Sequence, residues 1–82
     1  MSKDWCVYMV KCSDSTYYTG VSNDLKNRVE QHNLGKGAKY TRARLPVILV
    51  YSEGCESHST ALKRECAIKK LTRNQKKDLI KT

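Results

Sequence analysis

The sequence predicts an α+β domain: a small three-stranded, mainly antiparallel sheet flanked by three helices, ordered β-β-α-β-α-α. Three observations predict it. Two short β-branched and aromatic runs, 5–11 and 17–21, flank a polar turn. A third such run, Val47-Ile-Leu-Val-Tyr51, stands apart from them. The remaining stretches carry helical spacing or helix-start signals.

Each element has its own reason. Trp5-Cys-Val-Tyr-Met-Val-Lys11 is a compact apolar run and reads as a mostly buried strand. Cys12-Ser-Asp-Ser-Thr16 is polar and turns the chain. Tyr17-Tyr-Thr-Gly-Val21 returns as the second strand of a hairpin, with Gly20 marking a bend or a close backbone approach. Ser22 or Asn23 is suited to cap the helix that follows, with Asp24 favourable in its first turn. Leu25, Val29 and His32 recur at helical spacing, and Asn33-Leu-Gly35 supplies a left-handed stop. Residues 36–46 read as a loop with four cations and no acid. Val47–Tyr51 is the third strand. A second helix is expected from about Ser57–Ser59 to Lys70. A third, opened by the capping box Thr72-x-x-Gln75, runs to the chain end.

With 82 residues, the chain is one domain, 1–82, and supports one modest core. No apolar run approaches the roughly 18–20 residues of a membrane span. Met1-Ser-Lys-Asp-Trp5 has no secretory character, so a cytoplasmic protein is expected. The net charge is +8 and is unevenly placed. Four cations balance four acids in residues 1–35, and the whole excess lies in 36–82. A one-sided basic surface favours a polyanion, and nucleic acid is the commonest one. Lys36, Lys39, Arg42 and Arg44 form the expected phosphate-tracking loop, with Tyr40 among them to stack on an exposed base. Cys6, Cys12, Cys55 and Cys66 form no C-x-x-C pair and match no common zinc spacing.

Several polar residues sit where apolar ones belong. Glu65 lies between Ala61 and Ile68 on one helical face. It is either a core-facing carboxylate that needs a partner or a face-edge residue paired with Lys69. Arg28 and His32, four apart, border the Leu25–Val29 stripe. They form either a phosphate clamp beside a proton carrier or a solvated edge with Arg28 paired to Asp24. Tyr8, Tyr17 and Tyr18 fall on the hairpin, where tyrosines pack or, with help, move protons.

Taken together these positions form a pattern. Cys6-Val-Tyr8 followed by Tyr18-Thr-Gly20 resembles the paired triplets of the GIY-YIG nuclease superfamily. Arg28, twenty residues after Tyr8, matches that family's helix arginine. His32 matches a position held by tyrosine or histidine, and Glu65 its metal-holding glutamate. The chain looks closest to the small stand-alone bacterial members, and the stretch from Tyr18 to His32 is also similar to Slx-type endonuclease domains. Cys6, Val7 and Thr19 depart from the triplets but keep the β character a strand needs. Val21 replaces a lysine that some branches carry.

The resemblance implies a metal-dependent endonuclease of the DNA repair or recombination kind, with Tyr8, Tyr18, Arg28, His32 and Glu65 as catalytic residues. It implies one divalent ion, Mg²⁺ or Mn²⁺, held by Glu65, and a nucleic-acid substrate, DNA ahead of RNA. No helix reads as a groove-reading element, so little base-sequence specificity is expected. A protein partner that supplies substrate choice is compatible with so short a chain. Two alternatives stay open: a non-catalytic nucleic-acid-binding module, and a nuclease subunit that depends on a partner.

Overall fold

β-Branched and aromatic residues set the centre of the molecule. Trp5–Lys11 forms strand β1, and Tyr17–Ser22 forms β2. The computed structural model describes residues 4–81. Met1 to Lys3, part of the segment read for a leader, and Thr82 lie outside the described residues. The third strand, β3, spans Ile48–Cys55. The sheet is antiparallel throughout, in the order β2-β1-β3, with Tyr8 opposite Gly20 and Met9 opposite Thr19. Being central, β1 buries both faces, which is why its sequence is a continuous apolar run rather than an alternation. Val7 and Met9 face one core with Ala61 and Ile68. Tyr8 and Val10 face another with Cys12 and Val47.

The helices divide between those faces. α1 (Leu25–Asn33) lays Leu25 and Val29 against the Tyr8–Val10 side. α3 (His58–Lys69) and α4 (Arg73–Lys81) cover the other, where Leu71, Leu79 and Ile80 join the core. Their ends follow the sequence signals. Ser57 caps α3 by accepting from the Thr60 amide at 3.1 Å. Thr72 and Gln75 form a reciprocal capping box, at 2.9 and 3.2 Å. Gly35, at φ +77°, closes α1 in a Schellman turn: its amide bonds to the His32 carbonyl and that of Lys36 to Gln31.

Three details differ from the sequence expectation. The cap residue of α1 is Asp24, not Ser22 or Asn23, and its side chain makes no capping bond. Ser22 instead accepts from the Asp24 amide, shaping the exit from β2. β3 continues beyond Tyr51 because Trp5–Tyr8 needs partners, and Ser52–Cys55 supplies them. As an edge strand it tolerates polar residues, so its second half carries no apolar signal. Within the expected loop 36–46, Lys39–Arg42 forms a short helix, α2. No helix among the described residues is long and apolar enough to cross a membrane.

Candidate active site

Cross-strand pairing starts the site. Tyr8 on β1 lies opposite Gly20 on β2, and the phenol packs onto the glycine backbone. A Cβ on Gly20 would stand 2.7 Å from Tyr8 Oη, so only glycine leaves the ring in place. The phenol then meets His32 from α1: Tyr8 Oη and His32 Nε2 are 2.7 Å apart, and both side chains are buried. Tyr18, on the same face of the hairpin, sets its ring edge-on to His32 at 5.4 Å between centroids.

The structure brings the five expected residues together. Arg28, one turn before His32, is half-buried. Its guanidinium is close enough to favour the ionised form of Tyr8 and to disfavour the charged form of His32. Glu65 reaches the same neighbourhood from α3, where its charge adds to the cost of ionising Tyr8. The Glu65 side chain is 19% exposed, and Lys69 Nζ stands 3.6 Å from its Oε2. Both sequence readings of Glu65 therefore hold in part, since it borders the core beside Ala61 and Ile68 and also pairs with Lys69.

Burial controls the proton chemistry. Removal from water pushes the Tyr8 phenol above its ordinary value, opposed by Arg28. The same removal, reinforced by Arg28, pushes the His32 imidazole below its ordinary value. At neutral pH the pair is therefore an uncharged phenol facing an uncharged imidazole. Proton transfer from Tyr8 to His32 makes a phenolate that Arg28 is placed to stabilise.

The basic segment divides by structure. Lys36, Lys39 and Arg42 are exposed, and the last two ride on α2, whose Thr41 touches His32 at 2.8 Å. Arg44 is engaged internally. It pairs with Asp14 at 3.0 Å, donates to the Tyr40 carbonyl at 2.8 Å, and lies 3.9 Å over the Tyr40 ring. Tyr40 is also stacked towards Tyr18, with centroids 6.0 Å apart. Tyr40 thus extends an aromatic row that begins at the site. A cleft lined by Tyr17, Tyr18, Thr19, Tyr40, Lys69 and Lys76 runs beside this row.

Two residues of the site escaped the sequence reading. Thr41 was hidden in a segment read as loop, where a lone threonine gives no signal. Gly37 lies against the imidazole: a Cβ there would stand 2.3 Å from His32 Nδ1. The other histidine, His58, stacks on Trp5 at 4.0 Å. The cysteines are free.

No group of three or more His, Cys, Asp or Glu side chains among the described residues is arranged to hold a metal ion. Glu65 offers a hard carboxylate oxygen at the site. A single carboxylate fits Mg²⁺ or Mn²⁺ in its usual mode at nucleic acids, where water and phosphate oxygens complete the shell. It does not fit a soft or closed site.

Comparisons with known proteins agree with this fold. The model of the GIY-YIG catalytic domain matches residues 4–78. A UPF0213 protein of Staphylococcus aureus (strain Mu50) is 59% identical over 75 residues, 92% of each chain. Two solved structures are similar over nearly the full length. The UPF0213 protein BH0048 of Bacillus halodurans is 38% identical with TM-score 0.61, covering 95% of this chain and 83% of that one. The protein EF2693 of E. faecalis is 41% identical with TM-score 0.65, covering 99% and 88%.

Proposed function

The chain belongs to the GIY-YIG catalytic-domain family, and on that premise we propose that it is a metal-dependent endonuclease that hydrolyses phosphodiester bonds in DNA. The observation that carries this reading is the buried Tyr8–His32 pair flanked by Arg28, Tyr18 and Glu65.

Hydrolysis needs a deprotonated water, stabilised phosphoryl charge and a held strand. His32 takes the proton of Tyr8 through their hydrogen bond, and the resulting phenolate oxygen takes the proton of the attacking water. Arg28 lowers the cost of that phenolate and presents its planar donor fork to the phosphoryl oxygens. Tyr18, held edge-on to His32, orients the water or the phosphate. Lys36, Lys39 and Arg42 hold the strand by its phosphates, so affinity carries little base-sequence information. A divalent ion held by Glu65 would neutralise charge on the phosphate and leaving oxygen. Repair or recombination intermediates, which expose irregular backbone, are the substrate class this surface suits.

A cleavage screen with branched, single-stranded and duplex DNA and RNA, with Mg²⁺ or Mn²⁺ and with chelator, tests the proposal. Wild-type protein should cut DNA only with metal, and Glu65→Gln should bind but not cut. Tight binding without cleavage on every substrate, unchanged in Glu65→Gln, would make the protein a binding module instead.

A further inference from the structure

The hydrogen bonds around His32 have a direction, and it can be worked out donor by donor. Thr41 is fully buried, and its hydroxyl donates to the Ala38 carbonyl at 2.9 Å. The same carbonyl also takes the Thr41 and Arg42 amides at 3.1 Å each, and because it only accepts, its contact with Thr41 Oγ1 uses the hydroxyl proton. His32 Nδ1 lies 2.8 Å from the same Thr41 Oγ1. With the hydroxyl proton directed to Ala38, Nδ1 is the donor in that contact. A neutral imidazole carries one N–H, so Nε2 presents a lone pair. That lone pair faces Tyr8 Oη at 2.7 Å and can only accept the phenol proton.

We propose that Thr41, presented by the short helix α2, is a positioning residue that fixes His32 in the Nδ1–H tautomer and so sets the direction of proton transfer, from Tyr8 to His32. The opposite tautomer would place an N–H against Tyr8 and leave no base for its proton. Gly37 is the second half of the device, because a Cβ there would strike Nδ1 and stand 2.9 Å from His32 Cα, so both the ring and its helix would have to shift. Thr41 meets the Ala38 carbonyl and His32 through its hydroxyl, so its bearing on Tyr8 runs through His32. It also joins substrate holding to chemistry, since Lys39 and Arg42 share its helix. Strand contact at α2 therefore bears on the residue that orients the base. The catalytic part of this assignment rests on the nuclease reading above. The tautomer does not.

The test begins without substrate. Nitrogen-15 chemical shifts of His32 in the intact protein should show a protonated Nδ1 and an unprotonated Nε2. Thr41→Ser keeps a hydroxyl and should keep that pattern. Thr41→Val, nearly the same shape, should lose it, with the proton moving wholly or partly to Nε2. In cleavage assays Thr41→Val should lower kcat by about 10–100-fold with KM little changed, as when a group orienting a histidine is removed. Thr41→Ser should restore most of the rate. Thermal melting of both variants separates loss of fold from loss of orientation; Gly37→Ala, whose Cβ would also meet the His32 backbone, should melt lower and show a displaced His32 signal. A proton on Nε2 in the wild type, or wild-type shifts and turnover in a folded Thr41→Val, would overturn the assignment. If wild-type protein cuts nothing, the nuclease reading falls, and the nitrogen shifts still decide the role of Thr41.

Discussion

Tyr8 and His32 meet through a 2.7 Å contact between Oη and Nε2, in which a buried phenol faces a buried imidazole. The two come from a strand and a helix 24 positions apart. Each is tuned by the same removal from water, in opposite directions. Both stay neutral near pH 7, so the contact joins two uncharged groups.

The titration of His32 follows from that arrangement. Its midpoint, read by NMR, should lie below the ordinary histidine value of about 6.5. Arg28→Ala should raise it, since the guanidinium is one of the two causes that push it down. The stability sign is fixed as well. Below about 6.5 the unfolded chain binds the proton before the folded one does, so stability should fall as pH drops through that window. A midpoint at or above the ordinary value would contradict the buried neutral pair.

Gly20→Ala should be costly out of proportion to one methyl group. The added Cβ would fall 2.7 Å from Tyr8 Oη and 2.8 Å from Cζ, inside any real contact distance. The phenol must move off His32 or the hairpin must shift. A loss of roughly 1–3 kcal/mol in denaturant unfolding is expected, as for other overpacked sites. A variant with unchanged stability and an unmoved Tyr8 signal would refute the close approach.

The cations should separate into two groups. Lys39→Ala and Arg42→Ala should each weaken DNA binding similarly across sequences and reduce the salt slope by about 1. Arg44→Ala should act differently. It removes the contacts to Asp14 and Tyr40 and should lower the melting temperature along with affinity. Equal salt slopes in Lys39→Ala, Arg42→Ala and wild type would remove α2 from the binding surface.

Much of this was legible in the sequence because the signals were local. The β1 run, the Thr72–Gln75 capping box and the Gly35 stop each state their structure within a few residues. Glu65 and Arg28 were legible as polar residues bordering apolar stripes. Their grouping with Tyr8, Tyr18 and His32 came from family spacing, since no local pattern can say that two strands and two helices converge. Thr41 and Gly37 were not legible. Their roles depend on where His32 places its ring, a tertiary fact with no local trace. The second half of β3 was missed for a related reason: an edge strand is fixed by the backbone of its neighbour and need not be apolar.

Single-turnover cleavage by Tyr8→Phe, run beside wild type with Mg²⁺ and with Mn²⁺, tests the site most directly. The substitution keeps the ring over Gly20 and removes only the oxygen that His32 contacts. Binding and fold should be retained, while the cleavage rate should drop by roughly 10²–10⁴-fold, the usual worth of a positioned acid–base group. Cleavage by Tyr8→Phe at the wild-type rate would contradict the assignment of Tyr8 and His32 as the proton-transfer pair.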